Sequence, residues 1–513
     1  MTTTSTPASD HNLFTALRAA FPADLDAVAV ETDSGLHYSW RDLDEATAMV
    51  ANLFGFLDLP AGTRVAVQVD KSVEALVLYL ATLRAGLVYL PLNTAYQSAE
   101  MDYFISDAKP AVLVCAGRNF GWLSKMAFLA GTQYVFSLND DRTGTLLERA
   151  SKFPRTHTLV PRAADDLAAI IYTSGTTGRS KGAMLSHGNL LSNARVLQKY
   201  WDWREGDVLI HALPIFHVHG LFVAIHGALI NGSKMLWCAK FEPQTALRMM
   251  ARATVFMGVP TLYVRLLAEA GLNTQSTRNM RLFISGSAPM LVDTHRQWQA
   301  RTGHTILERY GMSETVMLTS NPCKPTDGVR VVGTVGQPLP GVQLRVRDDA
   351  GHEVKSGDTG GIEVKGPNVF LGYWQMPEKT AQEFTADGFF KTGDVGHVDA
   401  KGYVTIVGRS KDLIISGGYN VYPAEIEGYI NNLPGVDESA VVGVPDPDFG
   451  EVGVAVVVPK AGQQVDGAQV VATLKGMLAN FKVPKRCVVV EALPRNAMGK
   501  VQKNLLRDQY KAP

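Results

Sequence analysis

Between residues 36 and 93 the apolar and polar positions change period several times, and each change marks an element. Ser39 followed by Asp42 is a capping pair in front of an apolar-periodic run, which predicts a helix start. The run RVAVQV reads as a buried strand, SVEALVLYLATLRAG as a helix and VYLPL as the next strand. Such alternation predicts a parallel sheet with helices packed against it. The rhythm returns in a strand at 256–259, a helix near 262–270 and a strand at 282–285. After about Gly333 the texture changes, and GVQLRVRDD, GGIEVKG, GYVTIVG and KDLIISGGYN predict short strands in a β-rich unit. Beyond Asp412, a helix at 423–431, strands SAVVGV and VGVAVVVP, a helix near 468–481 and a strand RCVVVEALP predict a compact α+β module. No internal repeat is found.

Length turns this pattern into a multi-unit protein, since 513 residues exceed one ordinary core. A hydrophobic content of 46% with 19% charged residues is that of a globular chain. Lys plus Arg equals Asp plus Glu at 49 each, so no net field steers the protein toward nucleic acid or an anionic membrane. No basic run interleaved with aromatics supplies a local substitute. Cys115, Cys238, Cys323 and Cys487 lie far apart without a CxxC pair, which argues against a zinc site or a disulfide framework and fits a reducing cytoplasm. The longest apolar stretch, 75–92, is broken by Arg84 and Gly86 and falls short of a membrane span, and MTTTSTPASDHNLF lacks a signal-peptide pattern.

Candidate chemistry concentrates in AIIYTSGTTGRSKGAMLSH, residues 169–187. A strand delivers Thr173, Ser174, Gly175, Thr176, Thr177 and Gly178 into a turn that ends at Lys181 and Gly182. Small residues let backbone N–H groups approach phosphate oxygens, hydroxyls add donors and the lysine adds charge. The Walker A template does not fit, because Gly175 and Gly178 are three apart and glycine follows Lys181.

YTSGTTGRSKG resembles the phosphate-loop signature of the adenylate-forming superfamily, which contains acyl-CoA synthetases, luciferases and peptide-synthetase adenylation domains. LPIFHVHG, SGSAP, ERYGMSET, GFFKTGD, GRSKDLIISGGYNVYPAEIE and PRNAMGKVQK follow in the family's order. The resemblance implies an α/β fold: a large N-terminal domain of mostly parallel sheets flanked by helices plus a β-rich subdomain, and a small mobile C-terminal α+β domain. It places a large domain at 1–409, a hinge at 410–411 centred on Lys411, and a small domain at 412–513.

Roles follow from the same resemblance. Thr173 to Gly178 and Lys181 would cradle the ATP triphosphate, with Glu314 and Thr173 toward Mg²⁺. Gly286, Ser287, Ala288, Glu308, Arg309, Tyr310, Gly311, Met312 and Ser313 would line the nucleotide pocket, Tyr310 stacking on adenine. Asp394 and Arg409 would hold the ribose. Lys500 would be the catalytic lysine, stabilising charge on the α-phosphate, with His217, Lys181 and Glu314 as further catalytic groups. Ser416, Gly417, Gly418 and Tyr419 would line the CoA channel after the small domain rotates.

GVPTLYVR places Arg265 after a pocket-lining turn and is similar to the malonyl-CoA synthetase group, as is the chain from about 36 to 503. A buried carboxylate needs a cation, so Arg265 with Ser287 is the expected anchor for the distal carboxylate of malonate or methylmalonate. Arg281 is a second candidate anchor, and His217 would orient the reacting carboxylate. A metal reading of His217, His219 and His226 is weaker, for want of an acidic or thiol partner nearby in sequence. A short-chain or aryl acid–CoA ligase remains open, as does an adenylation module loading a carrier protein; the absence of a carrier motif leads us to expect a free-standing ligase. A protein lysine acyltransferase acting at Lys500 is the expected macromolecular partner, since acylation removes the needed charge.

Overall fold

A computed structural model describes residues 10–173, 180–416, 419–446, 449–478, 480–496 and 499–511, with the backbone alone for Tyr419 and Asn420. The expected phosphate-loop residues Ser174 to Gly178, and Gly417 and Gly418 of the expected CoA channel, lie outside the described residues.

Two large sheets share one apolar core. The seven-stranded sheet is built on Arg64–Gln68, flanked in parallel by Val88–Pro91 and Val112–Cys115. Leu167–Thr173 runs parallel to Val88–Pro91, and Lys181–Ser186 returns antiparallel beside it. The nine-stranded sheet has a parallel centre that includes Val208–His211, Val255–Gly258, Leu282–Ser285 and Leu307–Met312.

Helix Val73–Arg84 shows why the run SVEALVLYLATLRAG lacks a polar face: all of its residues are buried. Ser72 caps it by accepting from Ala75 N. Leu76, Leu78, Leu80 and Leu83 are at most 1% exposed, each contributing roughly 1.5–3 kcal/mol of burial. The predicted capping pair is present as a capping box, with Ser39 and Asp42 bonded reciprocally at the head of helix Trp40–Phe56.

The predicted β-rich unit is a four-stranded antiparallel sheet of Gln343–Arg347, Gly360–Lys365, Phe390–Val398 and Val404–Arg409, whereas KDLIISGGYN, expected in it, instead gives Ile414–Ser416 and Tyr419–Val421 to the sheet past Asp412, where Ser416 pairs with Gly450. Past Asp412 a separate sheet is built on the long pair Val436–Asp446 and Gly450–Pro459, with Arg486–Val489 parallel at one edge. Apolar clusters cover its two faces, one around Ile426 and Leu474, the other around Val442 and Leu506. The helix expected near 468–481 is shorter, Gly467–Lys475, and is capped at Gly476. Helix Pro260–Leu267 begins earlier than its apolar pattern suggests, because a proline at the first position lacks only an N–H that the helix would not use. Among the described residues no helix is long and apolar enough to cross a membrane.

Candidate active site

In an open α/β sheet ligands sit beyond the carboxyl ends of the strands. There, strand Leu282–Ser285 passes into Gly286 and Ser287, its last residues paired with Leu307 and Glu308 at the start of Leu307–Met312. Ser287 takes a left-handed conformation, φ 72°. Gly286 has no room for a side chain, since an added Cβ would lie 2.5 Å from the Arg309 guanidinium carbon.

Arg309 itself is 3% exposed, and its Nε and Nη2 meet no acceptor among the described residues. Burial pushes its guanidinium down to about 9. On the opposite face of that strand Tyr310 donates its hydroxyl to Asp394 Oδ2. Asp394 and Arg409 are register partners on antiparallel strands, and Arg409 Nε lies 2.6 Å from Asp394 Oδ1. Burial would lower Arg409, but the charges around it, Asp394 first and then Tyr310, Glu314 and Asp412, together outweigh burial and hold the guanidinium above its ordinary value. An aromatic face, a carboxylate and a guanidinium therefore converge in one corner.

Gly311 allows the next turn to close, since a Cβ there would lie 1.8 Å from the Val316 carbonyl oxygen. The turn through Met312 and Ser313 puts β-branched Val316 at φ 54°, a strained conformation. It also buries Glu314, 5% exposed, whose Oε1 accepts from the Tyr373 hydroxyl at 2.9 Å. Burial raises the Glu314 carboxyl above its usual range, against the Tyr373 bond and the charges of Arg409 and Lys181. Lys181 Nζ stands 4.3 Å over the Tyr373 ring and 3.9 Å from Glu383 Oε1. Thr173 is the register partner of Lys181.

His217 lies on the loop between Leu213 and Gly220, which is drawn tight: a Cβ on Gly220 would meet the Pro214 carbonyl at 2.0 Å. Burial first, then the charges of Arg309 and Lys500, push His217 down to about 4, so it is neutral near pH 7. His219, buried and held well below its usual value by burial, places Nδ1 3.3 Å from Ser287 Oγ. Lys500 follows a turn closed by Asn496, whose Oδ1 accepts from Lys500 N at 3.0 Å. Burial and then Arg409 lower the Lys500 ammonium, while Asp394 opposes the shift, so Lys500 belongs to the same electrostatic cluster.

This arrangement suits a nucleoside bearing phosphates: a ring to stack on, a carboxylate for vicinal hydroxyls, and lysines from two directions. Residues 17–374 match the model of the family described as AMP-binding enzyme, and residues 425–500 that of its C-terminal domain. The chain belongs to the AMP-binding enzyme family. This AMP-binding enzyme is 55% identical to ATP-bound MatB from Rhodopseudomonas palustris, with 98% of this chain and 99% of that chain covered and a TM-score of 0.95. Against apo MatB from the same organism the TM-score is 0.85 at the same identity and coverage. The malonate–CoA ligase of Arabidopsis thaliana is 34% identical over 97% of this chain and 89% of its own length.

Within this AMP-binding enzyme the expected site residues separate. Tyr310, Asp394, Arg409, Glu314, Lys181, His217 and Lys500 are brought together by the contacts above. Arg281 is not available as a substrate anchor: its Nε donates to Asp207 Oδ1 at 2.7 Å and its Nη2 to the other oxygen of that buried carboxylate. A strand-start arginine is here half of a structural ion pair. The Glu308 carboxylate is taken up by His295 Nε2 at 2.7 Å, so its side chain serves helix Val292–Thr302 and not the nucleotide.

Arg265 is exposed, with its guanidinium 4.9 Å above the Phe241 ring. Among the described residues it has no acidic partner. Ser416 is buried and pairs with Tyr419 and Gly450. Lys411 lies in the short turn Ser410–Asp412. Tyr373 and His219 entered no expected role, and a tyrosine in a two-residue strand gives no sequence signal of the glutamate it holds.

Proposed function

We propose that this acid–CoA ligase acts on malonate, joining it to CoA through malonyl-AMP. Arg309 is the observation that carries the reading: a desolvated guanidinium with unpaired N–H groups, under the Gly286–Ser287 turn and electrostatically coupled to His217. Leaving such a cation buried is unfavourable unless a ligand supplies the counter-charge. Arg265, accessible and without an acidic partner among the described residues, supplies a second cation for a dicarboxylate. A monocarboxylate, its one carboxylate used in the reaction, would leave the buried Arg309 unanswered.

In the first half-reaction one malonate carboxylate oxygen attacks the α-phosphorus of ATP and pyrophosphate leaves. Lys500 stabilises the charge that builds on the α-phosphoryl oxygens, and Lys181 meets the outer phosphates. Neutral His217 orients the attacking carboxylate without protonating it. In the second half-reaction the CoA sulfur attacks the acyl carbonyl, the thioester bond forms and AMP leaves. Acylation of Lys500 by a protein lysine acyltransferase would remove the charge that the first step needs.

Mg²⁺ fits the donor set around Glu314. No group of three or more His, Cys, Asp or Glu side chains among the described residues forms a metal cage. A single buried carboxylate, with Thr173 the register partner of Lys181, suits an ion that takes most of its ligands from phosphate and water. When bound, the ion would neutralise the departing pyrophosphate.

The separate cores on either side of Asp412 support a large domain at 1–409, a hinge at 410–411 and a small domain at 412–513. Rotation about Lys411 would carry Lys500 away and bring the segment 416–419 to the acyl-AMP for CoA. Four dispersed cysteines, none paired with another among the described residues, are what supports a cytoplasmic setting. Thioester formation with malonate, methylmalonate, acetate, butyrate and benzoate tests the reading. Malonate should give the highest kcat/KM; equal or better turnover of butyrate or benzoate would refute it.

A further inference from the structure

Helix Ser98–Ala108 carries Tyr103 and Asp107 four residues apart and hence on one face. The Tyr103 hydroxyl donates to the Ser180 carbonyl at 2.7 Å, and the Asp107 carboxylate accepts from the Tyr172 hydroxyl. Tyr172 and Ser180 stand on the two limbs of the phosphate segment, each immediately before a member of the register pair Thr173 and Lys181. One helix face therefore grips the incoming limb with one residue and the outgoing limb with the other.

The grip is itself anchored. Arg64 Nε and Nη2 donate to the carbonyls of Ala108 and Lys109 at 2.8 and 2.9 Å, closing the end of the helix. Trp374 Nε1 donates to the Asp107 carbonyl at 3.1 Å, while Trp374 N donates to the Gly182 carbonyl at 2.7 Å. The rings of Tyr103, Phe104 and Tyr172 pack on one another. Phosphate oxygens are bound only where donors match their spacing, and the separation of Thr173 from Lys181 is set where these two limbs are tied.

We propose that Tyr103 and Asp107 are positioning residues for the nucleotide, setting the separation of the two limbs and through it the affinity for the ATP triphosphate. They act through Ser180 and Tyr172 and touch no substrate. The inference rests on the reading that this segment receives the ATP phosphates.

Tyr103→Phe removes one hydroxyl and leaves the ring packing intact. Its KM for ATP, and its Kd for ATP measured by calorimetry without malonate, should rise about threefold to tenfold, the worth of one hydrogen bond. KM for malonate and Tm should stay near the unsubstituted values. Asp107→Leu should do the same, and Asp107→Asn, which keeps a carbonyl acceptor for Tyr172, should bind ATP nearly normally. Unchanged ATP affinity in both Tyr103→Phe and Asp107→Leu overturns the proposal. So does a parallel rise of both KM values with a lowered Tm, which marks a merely structural role. If the unsubstituted enzyme makes no malonyl-AMP, the malonate reading fails, while ATP calorimetry still decides the grip.

Discussion

Gly499 of the Lys500 turn meets Thr261: a Cβ built on Gly499, which sits at φ 75°, would lie 3.5 Å from Thr261 Oγ1. Thr261 is in the first turn of helix Pro260–Leu267, and Arg265 stands one turn further on the same face. Lys500 is thus docked beside the helix that carries the accessible cation, and within the electrostatic reach of Asp394, Arg409 and His217.

Lys500→Ala should therefore lower malonyl-AMP formation by about 100-fold or more, the scale of losing one charge-stabilising group. Thioester formation from supplied malonyl-AMP should be nearly unaffected, because no charge then develops on the α-phosphate as ATP is attacked. The acting form is the ammonium, and burial followed by Arg409 lowers its pKa. Adenylation should consequently fall as pH rises through that lowered value, and the fall should vanish in Lys500→Arg. Stopped-flow measurement of each half-reaction decides it; equal losses in both would remove Lys500 from this role.

Lys411→Pro should do the opposite. Proline fixes the backbone dihedral in the Ser410–Asp412 turn without touching the nucleotide corner. ATP–pyrophosphate exchange should persist while CoA thioester production collapses. Normal overall turnover would place the hinge elsewhere.

Acid should unfold the protein well before its carboxylates titrate. Burial pushes His187 and His217 down to about 4 and His226 to about 3, and holds His211 and His219 well below the usual histidine range. Unfolding exposes them to an ordinary value near about 6.5. Between those limits the unfolded chain binds more protons, so the stability they contribute is complete above about 6.5 and is lost as pH falls toward 4. Each group contributes a slope of about 1.4 kcal/mol per pH unit inside that window. Tm should drop steeply between pH 6.5 and 5; a flat Tm there would show that these histidines protonate while still folded.

Much of this site is legible in sequence because glycine-rich turns and charged residues are placed by local backbone needs. Gly286 and Gly311 are glycines for steric reasons the fold makes explicit, and Tyr310, Asp394 and Arg409 converge because Asp394 and Arg409 are register partners and the Tyr310 hydroxyl reaches Asp394. Pairings between distant segments are not legible. Arg281 looks like a pocket cation until Asp207 claims it, and Glu308 looks like a nucleotide contact until His295 does. Arg309, grouped by its motif with the nucleotide, is distinguished only by which of its N–H groups remain unpaired, a property of packing. The helix Gly467–Lys475 is shorter than its pattern because Gly476 ends it.

The separation of Arg309 from Gly286 gives the sharpest test of the malonate reading. Arg309→Met exchanges a desolvated, unpaired guanidinium for an apolar chain of similar reach, so Tm should hold or rise. Malonate kcat/KM should nonetheless fall by a factor of hundreds, since a carboxylate buried without its partner loses roughly 3–5 kcal/mol. Gly286→Ala should reproduce the malonate defect without altering the charge, because its methyl occupies the space of the guanidinium carbon. Butyrate, which has no second carboxylate, should lose little in either variant. Arg265→Leu completes the set: a shift in the malonate-to-butyrate ratio assigns the accessible cation to the distal carboxylate as well. If Arg309→Met and Gly286→Ala depress both acids together, Arg309 serves the nucleotide; if only Arg265→Leu changes the ratio, the distal carboxylate is held at the helix face and not beneath the turn.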